Sequence, residues 1–208
     1  MGRRNNILSR NPRNMTCFYA PGIVNSPLSD INKKEYKMKK FLLCVLFATN
    51  CGLATAFTGL YQTIDDETKK PKSIVMVYDY AEKDGNKKLG GRIVALYGDD
   101  GKISETITKP VRVADKVKGS PKMVGLDVIW DMVQDKDEYK DGRILDPKSG
   151  KIYRSVMWKE KDEADKLRVR GKIGPFGRTQ TWNVMTKKGL PAELQNINVS
   201  KWEPKIHD

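Results

Sequence analysis

The chain has 208 residues, of which 31% are charged and 38% hydrophobic, a balance that is typical of a globular protein and too apolar for a disordered one. The net charge is +13, there is one histidine, His207, and the three cysteines are Cys17, Cys44 and Cys51. The residues after Cys51 therefore cannot supply a Cys/His zinc site, and they do not favour a Ser–His or Cys–His catalytic pair.

Residues 38–56 have the three parts of a secretory signal peptide. Met38 and two lysines precede an apolar stretch at residues 41–47, and small residues stand at 54 and 56, ahead of a cleavage point at Phe57. The apolar stretch is short for a membrane-spanning helix. An uncleaved anchor is one alternative, and lipidation at Cys51 is another. We expect export across the inner membrane, into the periplasm.

Residues 1–37 are polar, carry several arginines and show no sustained hydrophobic period. The simplest interpretation is that translation starts at Met38 and that the upstream stretch is an over-long gene prediction; a long basic leader is the rival. Without residues 1–56 the chain loses nine basic residues, two acidic residues and all three cysteines, so its net charge is +6. Such a charge favours solubility and does not indicate nucleic-acid binding. We expect a monomer with no membrane-spanning segment.

After Phe57 the dominant hydrophobic period is two, and turn signals recur about every ten residues, as in β-sandwiches and β-barrels. Residues 102–121 are ambiguous, and a single helical turn could begin near Pro191. We predict one all-β domain at residues 57–186, with about eight or nine strands and little helix, and a C-terminal tail at 187–208. The predicted strands are 58–63, 73–80, 89–97, 123–133, 138–145, 151–159, 166–173 and 179–185.

Two local predictions are the clearest. One turn contains Pro147, which fixes φ, and Gly150, which allows a positive φ, and this combination predicts a hairpin. We expect Asp146, Pro147 and Gly150 to be structural residues of that turn. In the strand at 166–173, Leu167 and Val169 alternate with four cations, so we expect these two side chains to face the core.

Several motifs resemble a family of small secreted bacterial proteins, domain-of-unknown-function family 2147, over roughly residues 57–186. The motifs are GLYQT at 59–63, GGRI at 90–93, GLDVI at 125–129, DGRILDPKSGKIY at 141–153, LRVRGKIG at 167–174 and GRTQTW at 177–182. The resemblance implies a compact, lipocalin-like antiparallel β-barrel in the cell envelope and implies no activity. The chain departs from the family at Tyr61, where tryptophan is usual, and in residues 102–121, which lack the paired cysteines often found there.

The resemblance also implies a contact between Tyr61, which follows Gly59 in the first strand, and Arg178 near the last strand. Such barrels often close one end by placing an arginine over an aromatic ring of the first strand, and a cation–π contact of this kind is worth about 0.5–2 kcal/mol. Arg178 could instead contact a ligand.

Several aromatic residues could line a cavity in such a barrel, although aromatic residues in strands more often belong to a packed core. Residues 171–182, which are rich in glycine, could present Phe176 and Arg178 to a ligand or could form a tight corner between the last two strands. The candidate ligand-binding residues are Trp130, Tyr153, Trp158, Phe176, Arg178 and Trp182.

The acidic clusters read as solvated turns. In residues 135–140 the third ligand position of a calcium loop holds Tyr139 and the glycine position holds Lys140, which do not fit such a loop. We expect no metal, no cofactor and no catalytic residue. The leading hypothesis is a non-catalytic envelope protein that binds a small apolar or amphipathic molecule or another envelope component. A packed structural or stress-protective protein is the alternative, and a carboxylate-based hydrolase is a third.

Overall fold

The computed structural model describes residues 57–207, so the predictions for residues 1–56 lie outside the described residues. Within residues 57–207, no helix has the length and apolar character needed to cross a membrane. The elements are β1 (Gly59–Ile64), β2 (Pro71–Ala81), β3 (Lys87–Tyr97), β4 (Ile103–Thr106), β5 (Asp127–Asp135), β6 (Glu138–Asp146), β7 (Lys151–Trp158), β8 (Lys166–Ile173), β9 (Phe176–Met185) and a short helix α1 (Ala192–Gln195).

Eight of the strands close into one antiparallel barrel. The sheet order is β2-β1-β9-β8-β7-β6-β5-β3-β4, and β2 also pairs with β3. The ring is therefore β1-β2-β3-β5-β6-β7-β8-β9, and β4 pairs with the end of β3 outside it. Neighbours in sequence are neighbours in the ring except where β4 intervenes, which is the up-and-down arrangement of lipocalins. The predicted single antiparallel barrel is confirmed.

Apart from shifts of one or two residues, the strands differ from the predictions in three places. β4 is only four residues long and was missed within the ambiguous stretch 102–121. β5 begins at Asp127 and not at residue 123, because Gly125 adopts a positive φ of 97°. β9 begins at Phe176 and not at residue 179, so the corner expected in residues 171–182 is only a two-residue turn between long strands.

The hairpin between β6 and β7 forms as predicted. The Asp146 carboxylate accepts hydrogen bonds from the Lys148 backbone N–H (3.1 Å) and the Ser149 hydroxyl (2.7 Å). Gly150 has φ +69°, and a Cβ on it would lie 2.0 Å from the Lys116 carbonyl oxygen. This position therefore requires glycine both for its conformation and for a close approach of the chain.

One end of the barrel, called the closed end here, is filled by large side chains. It holds the first residues of β1, β3, β6 and β8 and the last residues of β2, β5, β7 and β9. The Tyr61 hydroxyl donates to the Phe57 carbonyl oxygen at 2.8 Å, and the Phe57 ring packs on the Tyr139 ring with centroids 4.9 Å apart. The fully buried side chains inside this end are Tyr61, Leu89, Met132, Met157 and Leu167. The prediction that Leu167 and Val169 face the core is confirmed.

The segment after β9 packs against the outside of the barrel. Leu190 and Leu194 join Leu60, Ile74 and other residues of β1–β3 in a second apolar cluster. Further along, the Trp202 ring meets the Tyr78 ring edge-on at 5.2 Å. The C-terminal segment thus covers an apolar outer face that the strands alone would expose.

A buried charge pair ties this segment to the barrel. Arg92 donates two hydrogen bonds to the Asp127 carboxylate (2.9 and 2.8 Å), and the Tyr78 hydroxyl donates a third at 2.9 Å. The Lys205 backbone N–H also donates to Asp127, and Arg92 donates to the Glu203 carbonyl oxygen. The donors to this carboxylate therefore come from three parts of the fold, namely β2, β3 and the C-terminal segment.

Tyr61 makes the barrel sensitive to alkaline pH. Burial raises the pKa of its hydroxyl from 10.0 to about 12. The unfolded chain releases this proton first, so the contribution of Tyr61 to stability is complete below pH 10 and is lost between pH 10 and 12, by about 1.4 kcal/mol per pH unit. We expect the free energy of unfolding, measured by urea denaturation across this range, to fall less steeply with pH in Tyr61→Phe than in the wild type. The difference in slope should correspond to the release of one proton. Equal slopes for the two proteins would contradict the burial of this hydroxyl.

Candidate functional site

The opposite end of the barrel, called the open end here, contains a cavity of about 610 Å³. It lies between the last residues of β1, β3, β6 and β8 and the first residues of β2, β5, β7 and β9. The turns after β1, β6 and β8 surround it. The cavity is therefore a continuation of the barrel interior beyond the packed closed end.

Small side chains in the wall leave this space. Along β8 the inward positions run Leu167, Val169 and Gly171, and Gly171 faces the cavity. A Cβ on Gly171 would lie 3.4 Å from Ile144 and 3.6 Å from Tyr153, which is ordinary van der Waals contact, so the wall accepts a side chain at this position. Across the barrel, Thr63 and Ser73 are buried and share a hydrogen bond of 2.6 Å between their hydroxyls.

The floor of the cavity is apolar, with one polar contact. Trp182 is buried, and its indole N–H donates to the Gln180 side-chain oxygen at 3.2 Å. Val169 on β8 and Ile144 on β6 line the same surface, with Tyr153 on β7 beside them. An apolar molecule entering here would contact rings and branched side chains.

The rim of the cavity is charged. Asp66, in the loop after β1, accepts a hydrogen bond from the Gln180 side chain at 3.0 Å and forms an ion pair with Arg178 at 2.5 Å. Its neighbour Asp65 pairs with Lys148 of the β6–β7 turn at 3.3 Å. These charge pairs thus link the loop after β1 to the β6–β7 turn and to β9 across the mouth.

Asp65 is stabilised as a carboxylate. It accepts hydrogen bonds from the backbone N–H groups of Thr68 and Glu67, both at 3.1 Å. Together with the Lys148 ammonium, these donors hold its pKa well below the ordinary value, with the Thr68 backbone as the largest cause. Within residues 57–207, no cluster of three or more His, Cys, Asp and Glu side chains could hold a metal ion.

Residues 59–184 match the model of a family described as uncharacterized proteins conserved in bacteria, DUF2147. The chain belongs to this family. The resemblance noted in the sequence is thereby confirmed, with nearly the same limits.

Among solved structures, the chain is similar to protein HP1028 from the human pathogen Helicobacter pylori, which is described as belonging to the lipocalin family. The identity is 23% and the TM-score 0.42, over 63% of this chain and 84% of the other. No curated protein matches the sequence significantly.

In this DUF2147 protein, four of the six candidate ligand-binding residues line the cavity: Tyr153, Phe176, Arg178 and Trp182. Trp130 and Trp158 do not. Trp130 is buried in the apolar cluster that also contains Tyr61 and Met132. Trp158 lines a groove on the outer face of β7 and β8, where its indole N–H donates to Glu160 at 2.8 Å. Both residues lie in strands that were predicted. The strand prediction alone, however, did not determine whether each side chain faces the cavity.

The expected stacking of Arg178 on Tyr61 is wrong. In the register of β1 and β9, Tyr61 lies opposite Val184, six residues from Arg178. At about 3.3 Å per residue, the two side chains start roughly 20 Å apart, at opposite ends of the barrel. Arg178 pairs with Asp66 instead, while the cation near the Tyr61 ring is Lys159, with Nζ 5.9 Å from the centroid. Arg178 still links the last strand to the first, through the loop after β1.

The sequence did not single out Asp66 and Gln180 as site residues, nor the hydroxyl pair of Thr63 and Ser73. Asp66 lies in an acidic cluster that reads as a solvated turn, and only the closed barrel brings it to β9. Thr63 and Ser73 could have been found from the alternating pattern of β1 and β2, because it places both side chains on the face that lies inside the barrel.

We expect Arg178→Lys to change the free energy of unfolding by less than about 1 kcal/mol, because the Arg178–Asp66 pair is largely exposed. In double-mutant cycles measured by urea denaturation, Arg178→Lys and Tyr61→Phe should be additive within about 0.5 kcal/mol. Arg178→Lys and Asp66→Asn should not be additive. A clear coupling of Arg178 with Tyr61 would contradict the register of β1 and β9.

Proposed function

We propose that this protein is a non-catalytic binding module that holds a small apolar or amphipathic molecule in the cavity at the open end of the barrel. The observation that carries the proposal is the cavity itself. Its volume of about 610 Å³ lies within the range of roughly 300–1,000 Å³ that is usual for small-molecule sites. Its apolar floor and charged rim match a molecule with an apolar body and a polar end.

The contacts suggest how such a molecule would lie. Its apolar part would contact Trp182, Val169 and Ile144 on the floor, where desolvation favours binding. Its polar part would remain at the rim, near Arg178 and Asp66. Because the closed end is packed, the molecule would enter and leave through the open end.

Two alternatives fit the site less well. A packed structural protein calls for an interior filled along its length, whereas large side chains fill only the closed end. A carboxylate-based hydrolase needs an acidic group whose pKa is raised so that it can donate a proton. At the rim of the cavity, the pKa of Asp65 is shifted in the opposite direction, and Asp66 is engaged by Arg178 and Gln180.

The place of action belongs to the same proposal. The signal-like segment at residues 38–56 supports export across the inner membrane, and the absence of cysteine from residues 57–208 means that the barrel needs no disulfide there. In the periplasm, a barrel of this kind would bind its molecule in the envelope. The sequence of the exported protein's N terminus tests this part, since it should begin at Phe57.

Filling the cavity from its wall tests the binding proposal. Gly171→Leu adds a side chain to the wall of the cavity, and Gly171 does not have a positive φ, so the backbone accepts it. With 1-anilinonaphthalene-8-sulfonate as the probe, we expect the wild type to bind and enhance the dye's fluorescence. Gly171→Leu should weaken this binding about tenfold or more, with a thermal melt close to that of the wild type.

The matched control is Thr179→Leu, which adds the same side chain on the outer face of β9, opposite Arg170. This variant should bind the dye as the wild type does. Equal dye binding by Gly171→Leu and the wild type would rule out the cavity as the binding site.

A further inference from the structure

The hairpin that joins β8 and β9 exposes two large apolar side chains at its tip. Ile173 and Phe176 lie opposite each other across the turn, and they are 62% and 79% exposed. Only Gly174 and Pro175 separate them. Single exposed apolar residues are common on soluble proteins. Two adjacent ones at a projecting turn form a surface that contact with an apolar partner would stabilise.

A row of cations lies one residue from this tip, on the outer face of three strands. The register places Arg143 opposite Arg154, and Arg154 opposite Lys172. Arg170 lies two residues before Lys172 on the same face. Like charges directly opposite each other destabilise a sheet. Their arrangement in a row therefore carries a cost that the fold itself does not explain.

Within residues 57–207, none of these four cations forms an ion pair with a carboxylate. The Arg170 Nε atom is also buried without a hydrogen-bond partner there. The nearby acids of the rim are engaged elsewhere, because Asp66 pairs with Arg178 and Asp65 with Lys148. The row is thus free to attract an external anionic group.

We propose that the β8–β9 hairpin docks on a lipid bilayer that carries anionic headgroups. Ile173 and Phe176 would enter the headgroup region, and the row formed by Arg143, Arg154, Arg170 and Lys172 would contact the anionic headgroups. A bilayer surface satisfies both features together, since it offers negative charge above an apolar interior. An acidic macromolecule in solution would match the charges and leave the apolar tip without a partner.

The same hairpin forms part of the cavity mouth, because Ile173, Phe176 and Arg178 line it. A docked hairpin would therefore turn the open end toward the bilayer. The inference does not rest on the proposed ligand binding, since docking requires only the hairpin and the row of cations. The two proposals can fail separately.

The test uses residues 57–208, which hold the whole barrel and both apolar clusters and omit the apolar stretch at 41–47. Flotation with vesicles measures the bound fraction at low and at high salt. One vesicle type is phosphatidylcholine alone, and the other also contains phosphatidylglycerol. We expect binding to the anionic vesicles at low salt and weaker binding at high salt, since salt screens the attraction.

Two double variants address the two features. Arg154→Gln with Lys172→Gln should weaken binding roughly twenty-five-fold, at about fivefold for each cation near an anionic surface. Ile173→Ser with Phe176→Ser should weaken it by about fivefold or more, because the apolar insertion is lost. All four side chains are exposed, so circular dichroism and melts should match the wild type.

The matched controls change similar residues elsewhere on the barrel. Val184→Ser removes an apolar side chain that is 41% exposed near the other end of β9. Lys83→Gln with Lys87→Gln removes two exposed cations at the β2–β3 turn, at the closed end. Both control variants should bind anionic vesicles as the wild type does.

The proposal is overturned if the wild type does not prefer anionic vesicles at low salt, or if the hairpin variants bind like the controls. Binding that depends on Arg154 and Lys172 but is unaffected by the loss of Ile173 and Phe176 would also overturn it. In that case, competition by soluble heparin would identify the partner as an acidic macromolecule and not a bilayer.

Discussion

The size of the inward-facing side chains changes along the barrel, and this change separates a packed end from a cavity. On β8, Leu167 and Val169 fill the interior, whereas Gly171 leaves it open. On β9, the buried Trp182 forms the floor on which the cavity begins. An eight-stranded barrel is wide enough either to be filled by its side chains or to hold one small molecule. This chain does the first at the closed end and the second at the open end.

The closed end and the outer face keep this arrangement in place. Tyr61, held by its hydrogen bond to Phe57, belongs to the packing that prevents the interior from opening at both ends. Outside, the buried Arg92–Asp127 pair binds the C-terminal segment through Trp202 and Lys205. Breaking such a pair by removing one partner costs several kcal/mol, because a charge is left buried and unpaired. The rim can therefore carry exposed, weakly stabilising ion pairs without risk to the fold.

Most of the fold could be predicted from the sequence, because alternation and turn residues are local signals. The strand at 166–173 and the turn at Asp146–Gly150 follow directly from such patterns. The cavity could be predicted only in part. The aromatic residues were found by type, but the side of the sheet on which Trp158 lies depends on the register of β7 and β8. The partner of Arg178 depends on the closure of the barrel, which brings Asp66 to β9 from 112 residues away.

The most direct test of a barrel that is packed at one end and binds at the other is to locate a bound probe. Two-dimensional ¹H–¹⁵N NMR of residues 57–208, titrated with 1-anilinonaphthalene-8-sulfonate, reports on both ends at once. The account predicts that the Trp182 indole signal and the amides of Gly171 and Gln180 shift, while those of Leu89 and Met157 do not. Shifts confined to the outer face, or spread equally over both ends, would contradict it.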